Sequence, residues 1–175
     1  YGNAQVYGNA QVSGNAQVSG NAQVSGNARV YGNARVYGNA RVYGNAWVYG
    51  NAQVSGNAQV YGNAWVYGDA QVSGDAWVSG DARVYGDARV YGNARVSGDA
   101  RVIFIAPIGS SIHGCLTAFV EKDGTIRCNR GCFSGTIDEF AAAVEKTHGT
   151  SKFGVEYRAA LALIRVRLDT TPAKE

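Results

Sequence analysis

The chain has two prolines, two histidines, three cysteines and no methionine among its 175 residues. Three cysteines are too few to staple a secreted scaffold together. No stretch approaches the ~18 apolar residues of a membrane span, and no charged-then-apolar leader opens the chain. A membrane partner is therefore not expected. Net charge is +3, with both signs in both halves, which is too mild to point to nucleic acid. Residues 1 to 102 hold no His, Cys or Lys, so they offer little for covalent or acid–base chemistry. The chain opens at Tyr1 without a methionine and already in the register of its repeat. An upstream segment is expected, and the targeting signals not seen here carry little meaning.

One six-residue unit fills the space that these shortages leave. It runs Tyr or Ser, Gly, Asn or Asp, Ala, then Gln, Arg or Trp, and Val, seventeen times without insertion from Tyr1 to Val102. A period of six is too short for a helical repeat and belongs to parallel β-helices. Alternation in Ala46-Trp47-Val48-Tyr49 sends Ala and Val to one side of a short strand and Trp and Tyr to the other. Gly followed by Asn or Asp favours a corner, because these residues tolerate positive φ. With only Ala and Val inside, the tube is narrow, apolar and without room for a ligand.

The pattern Val-x-Gly-Asn-Ala-x resembles that of the left-handed β-helix hexapeptide-repeat family. The resemblance, and not the period, implies a left-handed parallel β-helix, a triangular prism with 18 residues per coil. Its Tyr-Gly-Asn-Ala-Arg-Val copies are similar in particular to repeat proteins of phages and prophages. Residues 107–168 resemble the C-terminal region of those proteins more loosely, at Pro107-Ile108-Gly109-Ser110, Cys132-Phe133-Ser134-Gly135-Thr136 and Thr147-His148-Gly149. That setting implies a host cytoplasm or a virion. Acyltransferases of the family use a His beside a cleft between subunits. Here His113 and His148 both lie beyond the repeat, neither at a matching position, so no enzymatic activity is expected.

After residue 102 the composition changes, and residues 103–175 read as a small α+β cap domain, a hairpin plus two helices. Ile103 to Ile108 reads as the exit from the prism. Strands are expected around Leu116–Glu121 and Thr125–Cys128, joined by the turn Lys122-Asp123-Gly124. Gly131 to Gly135 reads as a loop. Thr136-Ile137-Asp138-Glu139 has the form of a capping box, with Gly149 closing that helix. A second helix, from near Ser151 to Leu168, has Phe153, Tyr157, Leu161, Ile164 and Leu168 as its stripe. A bare β-helix end exposes unpaired backbone groups, and covering them is the expected role of this domain.

Three sets of residues carry candidate chemistry. His113, Cys115, Cys128 and Cys132 can in principle hold zinc, but the spacing is not distinctive. Free thiols, one disulfide and zinc stay open, and no cofactor is expected. The corners turn from Asn to Asp at Asp69, Asp75, Asp81, Asp87 and Asp99; they read as solvated acids, with a cation between stacked pairs as the alternative. At 18 residues per coil, one face stacks Arg29, Trp47, Trp65 and Arg83 beside Tyr31, Tyr49, Tyr67 and Tyr85. It is either a stabilising ladder or a working face for a partner chain, a glycan or a small anionic ligand. The expected function is a non-enzymatic rigid scaffold or binding surface that self-associates, with a trimer one option. A soluble sponge for a nucleotide-like ligand and a virion or fibre component are the alternatives. An ice-binding surface would need flat Thr arrays, which the repeat lacks.

Overall fold

The computed structural model describes residues 2–98, 102–105, 108–109, 116–121 and 123–168, with Phe104 by its backbone alone. Sixteen two-residue strands, from β1 (Gln5–Val6) to β16 (Arg95–Val96), wind into three parallel sheets of six, five and five strands. Each strand pairs with the one three units on, as Trp47 with Trp65 and Gln53 with Gln71. The coil is therefore 18 residues long. From Ala22 to Val96 every inward Ala and Val is at most 1% exposed, so one continuous apolar core runs along the axis. From Gly8 to Gly80 each corner Gly has φ near 70° and lies against the Gly of the next coil. A Cβ on Gly50 would stand 3.0 Å from Gly68 N, a second reason beyond backbone conformation for this residue.

The last residue of the seventeenth unit opens a different sheet. Val102 still packs on the prism core at 3% exposure, but Val102–Ile105 forms β17 of a separate antiparallel sheet. Its neighbours there are β18 (Leu116–Val120), β19 (Ile126–Arg130) and β20 (Phe133–Thr136). The second hairpin strand thus starts one residue later than expected and ends two later. The expected loop at Gly131 to Gly135 is a turn at Gly131 and Cys132 followed by a strand. The sequence hid this because Ser134 and Gly135 are weak strand formers that pairing with Asn129 and Cys128 overrides.

Two helices complete the domain, α1 (Ile137–His148) and α2 (Lys152–Leu168). The capping box is present in full: Glu139 N donates to Thr136 Oγ1, and Thr136 N donates to Glu139 Oε2 at 2.8 Å. Gly149 ends α1 at φ 46°. Tyr157, Leu161, Ile164 and Leu168 are buried, whereas Phe153 is only half-buried. Gly154 takes the buried place beside it, because a Cβ there would collide with the Gly149 carbonyl oxygen.

The cap meets the last coil by imitating another coil. Along the prism, outward residues donate their N–H to the coil that follows, as Gln53 N does to Ala70 O and Ser55 N to Val72 O, both at 2.9 Å. At the end of the prism, Arg89 N donates instead to Thr117 Oγ1 at 3.0 Å, and Arg89 O accepts from Asn129 Nδ2 at 3.2 Å. Arg95 N donates to Glu121 Oε1 at 3.1 Å. Phe119, fully buried, closes the apolar tube from above. Thr117 and Asn129 are paired neighbours in the sheet and buried, so their polar groups spare the prism edge an unpaired end.

Two substitutions test this packing. Val66→Asp buries a charge with no partner and should cost more than about 4 kcal/mol, read as loss of the cooperative melt. Phe119→Ala should cost about 3–5 kcal/mol by opening a cavity at the prism end. A Phe119→Ala melting curve superimposable on the wild type would show that the tube is not closed there.

Candidate functional site

The 18-residue coil brings the eight residues of the aromatic face together. Trp47 and Trp65 stack with ring centroids 5.1 Å apart and planes within 2°. Arg29 lies over the outer face of Trp47 and Arg83 over that of Trp65, each with its guanidinium carbon 5.1 Å from the ring centroid. Beside this sandwich Tyr31, Tyr49, Tyr67 and Tyr85 form a second stack, with spacings of 4.9, 5.0 and 5.6 Å. The two stacks meet edge to face, Tyr31 on Trp47 and Tyr49 on Trp65, both at 6.3 Å. Burial, then the neighbouring hydroxyls Tyr31 and Tyr67, push the Tyr49 phenol above its ordinary value. The Trp side chains are half-buried, and Tyr85 at the end of its stack is 45% exposed.

A consequence of this geometry was not legible in the residue pattern. Both faces of each indole are already occupied, one by the other indole and one by a guanidinium. What the face presents outward is a set of parallel ring edges, about 4.8 Å apart along the axis. Such ribs suit a flat surface laid across them. They leave no slot between the two Trp for an inserted ring.

The corners carry a second ladder that the sequence reading missed. Asn side chains donate up the prism from coil to coil, Asn27 Nδ2 to Asn45 Oδ1 and Asn45 Nδ2 to Asn63 Oδ1, both at 3.1 Å. Where the corner becomes Asp, the ladder ends on an acceptor: Asn51 donates to Asp69 and Asn57 to Asp75, both at 2.9 Å, and Asn63 to Asp81 at 3.0 Å. Asp can accept but not donate when ionised, so it fits the receiving end of each ladder. Asp99 lies outside the described residues.

Among the described residues no three His, Cys, Asp or Glu side chains come together as a metal site. His113 and Cys115 lie outside them. Cys128 is fully buried in the cap core, packed with Leu116, Ala118 and Ile164, and burial pushes its thiol up to about 12. Cys132 is exposed on the turn. His148 packs against Tyr157 at 5.4 Å and Phe153 at 6.1 Å, a structural position where the two helices meet.

The repeat profile of the YdcK beta-solenoid family matches residues 4–20, 10–25, 22–38, 34–50, 52–68, 58–74, 70–86, 82–98 and 88–102, more than half of the chain. The chain belongs to that family. No curated protein and no solved structure matches it. Within this YdcK-type solenoid the family match covers the prism, and residues 103 to 175 lie beyond it.

The contrast between the thiols is open to measurement. The Cys128 pKa is raised on folding, so its protonated form stabilises the fold below about pH 9, and that contribution is lost as pH rises from about 9 through about 12. At pH 8 iodoacetamide should alkylate Cys132 within minutes and spare Cys128 until denaturant is added, as read by peptide mass mapping. Equal labelling of the two in the folded chain would contradict the buried position.

Proposed function

We propose that this YdcK-type solenoid is a non-enzymatic scaffold whose aromatic face packs against a flat partner, in the first instance a second copy of itself. The observation that carries the reading is the closed Arg29–Trp47–Trp65–Arg83 sandwich with its four-Tyr flank. Its ring faces are used internally, so its outward contacts are edges spread over four coils. A flat, rigid face can meet such ribs along its whole length. Guanidinium groups at both ends add polar contacts at the rim, as interface rims commonly do. The prism itself supports a scaffold role: it has an Ala and Val interior and, in residues 1 to 102, no His, Cys or Lys.

The near-identical Tyr-Gly-Asn-Ala-Arg-Val copies support a phage or prophage setting, in which a virion or fibre component is one form such a scaffold takes. A sponge for a nucleotide-like ligand draws no support from this face, which has no slot for a ring.

The double variant Trp47→Ala with Trp65→Ala separates a working face from a stabilising ladder. It removes one ring stack, two edge-to-face contacts and two cation–π contacts, on the order of 3–5 kcal/mol in stability. Sedimentation should show an assembled wild type and a monomeric, still folded double variant. A wild type that is monomeric at all concentrations, or a double variant that assembles normally, would sink the reading.

A further inference from the structure

On another face the Tyr stack is interrupted. Tyr43 and Tyr61 stack at 4.9 Å and 2°, but the next two positions of the same column are Ser79 and Ser97. The upward face of the Tyr61 ring is therefore uncovered over two coil steps, roughly 10 Å. Elsewhere a Tyr hydroxyl leans to the outward residue of the next coil, as Tyr43 OH donates to Gln59 Oε1 at 3.1 Å. At Tyr61 the next coil offers Trp77, which meets the ring edge-on at 6.4 Å and forms a wall instead. Arg95 stands above, its guanidinium carbon 4.8 Å from the Trp77 centroid.

Ser interrupts Tyr columns at other places too, so an interruption alone is not a site. What differs here is the cap. Glu121 reaches down to the last coil, and with Tyr61, Trp77, Ser79, Arg95 and Ser97 it encloses an open cleft of about 600 Å³. Both Glu121 oxygens are engaged, Oε1 by Arg95 N at 3.1 Å and Oε2 by Arg127 Nε at 2.9 Å. Its charge is thus compensated by Arg127, and the Arg95 guanidinium sets the sign of the cleft.

We propose that this cleft binds a planar aromatic ring carrying an anionic group, with the ring taking the place of the Tyr absent at position 79. The ring lies on Tyr61 with its edge toward Trp77, continuing the Tyr43–Tyr61 stack at the spacing the prism already repeats. The anionic group sits one coil higher, where Arg95 supplies charge and the Ser97 hydroxyl can donate. A nucleotide monophosphate and an aryl carboxylate share this chemistry. The inference goes beyond the proposed assembly face and does not rest on it, since the two lie on different faces of the prism.

The test is calorimetric titration of the full chain with adenosine 5′-monophosphate and, separately, 2-naphthoate. Binding of either supports the cleft and tells which source of the ring it prefers. Ser79→Tyr fills the gap with the residue that ten other units carry at that position, so the variant should melt at or above the wild-type temperature. It should weaken binding of the probe at least about tenfold. Ser25→Tyr, in the same column but away from the cap, should change binding less than about twofold, as should Trp47→Ala with Trp65→Ala. Arg95→Gln should weaken either anionic probe about tenfold while leaving neutral adenosine nearly unchanged. No heat with either probe at millimolar concentration, or undiminished binding to Ser79→Tyr, would overturn the proposal.

Discussion

The backbone ladder between coils is the constraint on which every other feature depends. An outward residue reaches the coil above through its N–H, at 2.8 to 3.1 Å along the whole prism. Because that bond always spans the same number of residues, side chains one coil apart are held in near-translational register. The ring planes of Tyr43 and Tyr61, and of Trp47 and Trp65, then agree within 2° without any packing from outside. A single Trp or Tyr on a free strand would gain little. Held in columns, the same residues become stacks, amide ladders and cation–π pairs whose partners the backbone has already positioned, so less side-chain entropy is lost in forming each contact.

The same regularity creates the problem that the cap solves. A ladder of this kind has no natural end, and its last coil leaves donors and acceptors without partners. Three side chains, Thr117, Asn129 and Glu121, stand where the next coil's carbonyls and amides would have been. Phe119 does for the apolar tube what they do for the edge. Tyr91 joins them, its hydroxyl 2.7 Å from the carbonyls of Gly131 and Phe133. The cap is therefore fitted to particular residues of the last coil and is not simply laid over it. The cleft beside Trp77 arises at this junction, between a face that steps back at Ser79 and Ser97 and a cap residue that comes forward.

Much of this was legible in the residues. Strict recurrence of Ala and Val specified the interior, and Thr136 with Glu139 specified the start of α1. Once a coil length was supplied by resemblance, the Trp47–Trp65 column followed from counting. Other features depend on three-dimensional context that a linear pattern does not carry. The Asn ladder needs a coil-to-coil distance as well as a column. The β20 strand, with Ser134 and Gly135 in it, exists because β19 offers it an edge. Val102 matches the repeat in sequence yet opens a new sheet, because the Ile and Phe that follow cannot form another Gly-Asn corner. The aromatic face shows the limit most clearly: its residues could be named from the sequence, but not that its ring faces would be occupied by each other.

The central claim is the three-unit coil, and the three tryptophans offer a direct measure of it. Trp47 and Trp65 are three units apart, Trp65 and Trp77 two, and Trp47 and Trp77 five. In a chain protonated only at tryptophan, nuclear Overhauser contacts report which indoles are neighbours. Cross-peaks between the Trp47 and Trp65 rings, 5.1 Å apart, with none from either to Trp77, are expected. Contacts joining Trp65 to Trp77 would instead mean a coil of two units, and the columns described above would not exist.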